Sequence, residues 1–537
     1  MPIGWAVIAA SLGYIGCLFL VAAWADGAGR RKLERHWPTI YALSIGVYCT
    51  SWTFYGSVGM ATTRGFEFLA IYVGPAILFA LCTPLLLHVV RVAKANAITS
   101  AADFVGSRYG RHQGVAAIVT VISVVGALPY IALQLKAVSS SLAVILGGEL
   151  ASGSAPFLFS GDLSVLVAVS LATFSILFGT RQVDATEHQR GLIFAIAVES
   201  VVKLVAFLGV GLYVTFAIFD GPSHLAAAAR ETLGARSPFE REPDISTWLT
   251  LIGLSFFAAL LLPRQFHVAV VEGGGERDLK RAAWVFPAYL VLVNLFVVPV
   301  ALAGLVLFGS GGGVDTDMFV ITLPLAHGSP GMAILAFIGG LSAATAMVIV
   351  ASIALSIMLG NEVIMPALLK ARLVDPERVD IGLVVLYVRR IAIVLVIALG
   401  FLYYRHGAGQ QALAQIGLVS FAAIAQLAPA FFIGLFWREA NARGAISGLL
   451  VGFAIWFYTL LLPTFATSSP AIEQLLAHGP FGIEALRPTQ LFGVDLDRLT
   501  HGVVWSLFAN VVVFVLFSLA RQTTAGTRST TSNTASP

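Results

Sequence analysis

The residues of this chain that are able to do chemistry lie inside apolar runs rather than between them. From Ser44 to Ser57 the sequence reads Ser-Ile-Gly-Val-Tyr-Cys-Thr-Ser-Trp-Thr-Phe-Tyr-Gly-Ser, two Gly and five Ser or Thr in a stretch otherwise apolar enough to cross a bilayer. Two physical accounts fit. Small residues let helices pack closely; alternatively the helix unwinds in mid-membrane, where freed carbonyls hold a cation and half-helix N-termini hold an anionic group. A second set is a stripe of hydroxyls, Ser342, Thr345, Ser352 and Ser356, at offsets of 0, 3, 10 and 14 and so near one helical face. Their oxygens suit a hard cation, and they also suit helix–helix hydrogen bonding. Third, Glu199 and Lys203 are spaced i, i+4 on one face of an apolar run, where they can neutralise each other. An intramembrane pair is costly unless enclosed, so it should face the bundle as a structural pair rather than a proton relay.

Membrane helices must position all of these groups. With 58% hydrophobic residues, 11% charged residues and a mean hydropathy of +0.89, a chain of 537 residues is no water-soluble globule. Apolar runs of spanning length number thirteen, at about 3–25, 39–61, 66–91, 112–147, 162–179, 188–219, 245–268, 283–309, 330–359, 383–404, 410–436, 443–463 and 501–521. The first lacks a basic stretch before it, and Arg30, Arg31, Lys32 and Arg35 follow it, so it reads as a retained helix with its N-terminus outside. Of the 32 Lys and Arg residues, 22 fall in alternate loops beginning with 26–38 or in the C-terminal tail, and 7 in the intervening loops. That asymmetry places the first set and the tail in the cytoplasm. It also accounts for the +4 net charge without nucleic acid as a partner.

The remaining features exclude more than they assign. Cys17, Cys49 and Cys82 all fall in spans, so no disulfide framework is implied. His88, His188 and His267 are dispersed, and no intramembrane His/Asp/Glu constellation suggests an enzyme or a transition-metal site. The Thr- and Ser-rich segment 522–537 reads as a disordered cytoplasmic tail after a single transmembrane domain, 1–521.

Several ordered motifs resemble the sodium:solute symporter family. Ala423 to Leu449 contains Gln-Leu-Ala-Pro, then Phe436-Trp437, then Asn441-Ala-Arg-Gly444, similar to the family's late core helices. The second span ends in Gly56-Ser57-Val58-Gly59, like the family's broken first core helix. The loop Ile98 to Phe104 with Arg108-Tyr109-Gly110, the stretch Pro129 to Lys136, Thr186-Glu187-His188-Gln189 and Pro263-Arg264-Gln265-Phe266 follow in the family's order. The style is most similar to the transporter portion of bacterial sensor-kinase-linked members. The resemblance implies an all-α, five-plus-five inverted-repeat (leucine-transporter-like) core, with repeats at about 39–219 and 245–436, in the bacterial inner membrane. It further implies sodium ligation by the carbonyls of Gly46 and Cys49 with hydroxyls of Ser342 and Thr345. Substrate contacts fall on Thr50, Ser51, Thr53, Tyr130, Ser255 and Phe256, and coupling or gating on Glu187 and Arg264, both near a cytoplasmic boundary.

The chain departs from the family in two places. Counting back from Asn361-Glu362, the family's adjacent hydroxyl pair lands on Ala346 and Met347, which cannot ligate sodium through their side chains; a register shift is needed to bring in Thr345. The family's proline carriers have Trp and Tyr where this chain has Ser255 and Ala259, which implies a different solute. The expected activity is symport of a small organic solute, an amino acid or short monocarboxylate, with sodium as coupling ion and no other cofactor. The alternatives are proton coupling, or a nutrient-sensing receptor working with a separate histidine kinase.

Overall fold

The computed structural model describes residues 3–531 except 154–155, 157–158, 160, 180–188, 274, 310–312, 375–379 and 410, and except the side chains of residues 30 and 521–531. It is all-helical, with no strand among the described residues. Among those residues, ten helices are long and apolar enough to cross a membrane, or eleven if a pair bent by 52° is one span, which makes this a multi-pass membrane protein. Helices are the natural choice there, because each closes its backbone hydrogen bonds within itself. The expected thirteen spans differ from this count at two places. Leu163–Gly179 has 17 residues, and Trp52–Leu81 takes in parts of both the second and third runs, which the turn at Gly65 (φ 57°, ψ −126°) folds back on each other so that the Ser57 and Tyr72 hydroxyls meet at 2.5 Å.

The helices that build the site are α1 (Ile3–Asp26), α2 (Trp37–Ser44), α3 (Ser57–Arg64), α4 (Gln113–Ser152), α5 (Arg190–Tyr213), α6 (Ile245–Leu261), α7 (Pro263–Phe266), α8 (Pro330–Met358), α9 (Leu413–Ala425), α10 (Ala442–Trp456) and α11 (Arg498–Thr531). Burial separates centre from rim: 89% of the apolar window in Leu413–Phe436 and 83% of that in Pro330–Lys370 are buried, against 17% in α1 and 28% in Arg498–Ala520. α8 and α9 therefore form the axis, while α1 and α11 turn most of their surface to lipid. α11 continues to Thr531, past Gln522 where the sequence reading ends the helix.

Two spans break at the centre. The second leaves α-geometry after Ser44, tightens into a 3-10 turn over Ile45–Tyr48 and becomes extended at Cys49 (φ −78°, ψ 103°). It resumes through a wide turn at Trp52–Gly56 into α3. The seventh breaks at Leu262 (φ −56°, ψ 129°), because Pro263 has no N–H for the ladder and disfavours helical geometry in the residue before it. α6 has a well-made start: Asp244 accepts from the N–H groups of Ser246 and Thr247 at 3.1 and 3.3 Å and from both hydroxyls. Those hydroxyls pull its carboxyl down to about 2.

The sequence motifs also have structural duties. Asn441 Oδ1 accepts from Gly444 N–H at 3.1 Å as an N-cap of α10, and its Nδ2 donates to Ser518 O at 2.9 Å on α11. A Cβ on Gly444 would collide with Ser518 Oγ, so the glycine permits that crossing. Ser100 Oγ caps the helix Ala101–Arg108 at Asp103 N–H, 3.1 Å. From its end Arg108 donates to the carbonyls of Gly434 and, at 2.7 Å, Trp437, while the Tyr109 hydroxyl donates to Ala430 O at 2.8 Å.

Candidate functional site

The 3-10 turn Ile45–Tyr48 packs on α7 and on α8, so the two breaks and the axial helix meet at one place. Thr50 Oγ1 and the Tyr130 hydroxyl of α4 are 2.9 Å apart. Ser51 N–H donates to Gln134 Oε1 at 3.2 Å, one turn along α4 from Tyr130. Thr53 is buried on the same segment. Trp52, Tyr130 and Phe421 of α9 form an aromatic wall, with Tyr130 and Phe421 stacked at 5.6 Å and 7°. The structure thus brings Thr50 and Tyr130 together with the Ser51 backbone beside them, while the Ser51 hydroxyl donates to Gly340 O of α8 at 3.4 Å.

Arg264 joins this cluster. The sequence places it near a membrane boundary; the break at Leu262 instead turns it into the centre, where it is 1% exposed. Its guanidinium carbon lies 4.3 Å from the centre of the Tyr130 ring, within the range of a cation–π contact. Among the described residues, its Nε and Nη2 have no hydrogen-bond partner, and neither do Oε1 and Nε2 of the adjacent, equally buried Gln265. Four unsatisfied polar atoms on two consecutive buried residues are unusual in a folded protein.

Ser255 and Phe256 are not part of the cluster. They lie about two turns before the break and face other neighbours. Ser255 Oγ donates to Ala70 O and Ile252 O at 3.3 and 3.0 Å, against the backbone of the helix Ala70–Ala76, where Gly74 leaves it room. Phe256 packs edge-on against Phe257 and tilted against Phe432. Glu187 lies outside the described residues.

The four expected ion ligands are engaged by α5. Gly46 O and Cys49 O each accept a hydrogen bond from Lys203 Nζ, at 2.7 and 2.6 Å. Thr345 Oγ1 donates to Glu199 Oε1 at 2.7 Å, and Ser342 Oγ donates to the main-chain oxygen of Glu199 at 3.0 Å. The Tyr14 hydroxyl of α1 is 3.4 Å from the same Glu199 side-chain oxygen. Glu199 and Lys203 therefore do not neutralise each other directly, as their spacing suggests. They share a helix face, but Lys203 reaches to the broken second span and Glu199 to α8. Gln134, Trp52, Gln265 and Phe421 escape the sequence reading as site residues; the signal for Gln265 is its place beside Arg264 after a mid-span proline.

No family model matches the chain. A Bacillus subtilis (strain 168) protein described as an uncharacterized symporter, YhjB, is 22% identical over 456 residues, covering 83% of this chain and 86% of its own. A manganese transporter of Eremococcus coleocola is more distant in structure, at a TM-score of 0.49 and 15% identity over 89% of this chain and 94% of its own. A Na+-coupled sialic acid symporter, solved in a substrate-bound outward-open state, matches with a TM-score of 0.65 and 16% identity over 96% of this chain and 97% of its own, and the two share a fold.

Proposed function

We propose that this chain is a secondary carrier of the bacterial cytoplasmic membrane that imports a small carboxylate-bearing solute, an amino acid or short monocarboxylate, through the site between its two broken spans. One observation carries the reading: a guanidinium 1% exposed at the break of the seventh span, with two N–H-bearing nitrogens lacking partners. An uncompensated buried cation is expensive, and Arg is the side chain best shaped to grip a carboxylate. Tyr130, whose ring the guanidinium faces and whose hydroxyl meets Thr50, and the unpartnered amide of the next residue, Gln265, supply further donors and acceptors. The symporter likeness of a relative and the shared fold with a sialic acid symporter support transport rather than catalysis.

Transport would proceed by alternating access, with the broken spans and α8 rearranging around the bound solute in a five-plus-five core. One charge moving across ~100 mV supplies about 2.3 kcal/mol, and a roughly tenfold ion gradient supplies about 1.4 kcal/mol more. Sodium, the expected coupling ion, would need the Gly46 and Cys49 carbonyls that Lys203 holds. The test is uptake by proteoliposomes of a panel of carboxylates, amino acids and their neutral amides, with sodium and pH gradients imposed separately. Accumulation of a carboxylate but not of its amide is expected. Tight binding with no movement under either gradient would replace the carrier by a receptor working with a signalling partner.

A further inference from the structure

A well-furnished cation position in this protein is filled by one of its own side chains. Breaking the second span presents the carbonyls of Gly46 and Cys49 toward α5, and Lys203 Nζ lies 2.7 and 2.6 Å from them, good charge-assisted distances. Lys203 is 2% exposed. The approach depends on the residue at position 46: a Cβ there would sit 2.8 Å from Ser200 Oγ, on the turn of α5 just before Lys203. A glycine is what lets α5 come close enough for the ammonium to reach.

The rest of the position is arranged to match. Thr345 and Ser342, whose hydroxyls could complete an oxygen shell, donate instead to Glu199 at 2.7 and 3.0 Å. One helix thus engages all four groups, its lysine on the carbonyls and its glutamate on the hydroxyls. A sodium ion brought to the same carbonyls would meet the ammonium at contact distance in a buried core of low dielectric, where like charges repel strongly.

We propose that Lys203 is the resident cation of this position: its ammonium stands where a sodium ion would bind, bridging α5 to the broken second span, so that the protein closes around its solute without sodium. The inference rests on the carrier reading above, but it can fail separately. Removing the side chain to Cβ should unveil a sodium site made of the Gly46 and Cys49 carbonyls.

The test uses the full-length protein purified in detergent, with melting temperature recorded in sodium chloride and in equimolar choline chloride. The wild type is expected to melt identically in both, whereas Lys203→Ala gains a saturable, sodium-specific rise. In proteoliposomes, wild-type uptake should stay within about twofold when sodium is replaced, whereas a carrier whose competent state requires the ion loses roughly tenfold or more. A saturable sodium-induced rise in the wild type overturns the proposal, as does a Lys203→Ala protein that still binds solute yet shows no response to sodium. If Lys203→Ala does not fold, Lys203→Gln, which keeps an amide donor for one carbonyl but no charge, is read by the same criteria. Absence of uptake of any solute would remove the carrier reading and leave the melting comparison to decide the role of Lys203.

Discussion

Replacing Arg264 by methionine should make the empty protein more stable while destroying its affinity for solute. The guanidinium leaves Nε and Nη2 without partners in a site excluded from solvent. Each unmade hydrogen bond of a buried donor costs about 1–3 kcal/mol, so the pair costs about 2–6 kcal/mol. Against this stands the cation–π contact with Tyr130 at 4.3 Å, worth up to roughly 2 kcal/mol when desolvated. Methionine is unbranched and adaptable, and refills much of the space, so the net gain is about 0–4 kcal/mol on these two contributions. The uncompensated charge itself adds in the same direction. Denaturant or thermal unfolding in detergent without solute measures the stability, and calorimetric titration with the solute identified by uptake measures the affinity. An Arg264→Met protein destabilised by several kcal/mol that still binds solute as tightly as the wild type would make Arg264 a structural residue and remove the basis for an anionic solute.

Four further outcomes follow from particular contacts. Asp317, fully buried between its neighbour Asp315 and the backbone, has its carboxyl pushed up to about 6 from 3.8, chiefly by burial and then by Asp315. The folded state therefore resists its ionisation: a penalty of about 3 kcal/mol, at ~1.36 kcal/mol per unit, is present above pH ~6 and is relieved as the pH falls through 6 toward 3.8. Asp317→Asn, which keeps an acceptor for Leu413 N–H at 2.8 Å, should be the more stable protein at neutral pH and lose that advantage near the lower value; parallel pH–stability curves would refute this. Gly46→Ala should cost about 1–3 kcal/mol by overpacking against Ser200 and be partly rescued by Ser200→Gly, with no rescue counting against the close approach. Asn441→Ala should cost about 1 kcal/mol as a lost cap, plus the bond to Ser518 O, in a melting experiment where Arg438→Ala serves as control. A cysteine placed at Ser529 should be labelled only after cells are permeabilised; labelling of intact cells contradicts a cytoplasmic C-terminus.

Much of the framework was legible because it is local. The density of Gly, Ser and Thr in 44–57 fitted either close helix packing or a helix that breaks, and the span breaks over Ile45 to Ser51. Pro263 carried its own reason for a second break. Thr50 and Tyr130 come together, although 80 residues apart, at positions the family resemblance marks. What escaped depends on neighbours that no local pattern contains. Glu199 and Lys203 read as a mutual pair because i, i+4 spacing puts them on one face, yet each is claimed by a different helix. Arg264 read as a coupling or gating residue near the boundary because it closes an apolar run, and only the bend at Leu262 brings it into the buried interior. Ser255 was misplaced by register: the same helix that leads to the site turns this residue toward the Ala70–Ala76 helix. Apolar length alone also says nothing of where a run is interrupted, as the second is over Ile45 to Ser51, or of where a helix stops at 17 residues, as Leu163–Gly179 does.

The clasp made by Arg108 and Tyr109 has a consequence for how this protein can change over generations. Both residues grip main-chain oxygens, those of Gly434, Trp437 and Ala430, and a carbonyl is supplied by any residue that keeps the helix end in place. Mutations at Ala430 and Trp437 can therefore drift without compensation from the giving side, whereas Gly434 is held to glycine because a Cβ there would collide with the Tyr109 hydroxyl. A library of variants should show sharp intolerance at 108 and 109, with broad tolerance of side-chain identity at Ala430 and Trp437 as far as this contact is concerned. Statistical coupling between the two ends of the clasp will be weak even though they touch, so contact maps inferred from co-varying positions are blind to one of the ties that hold the ends of these two segments together.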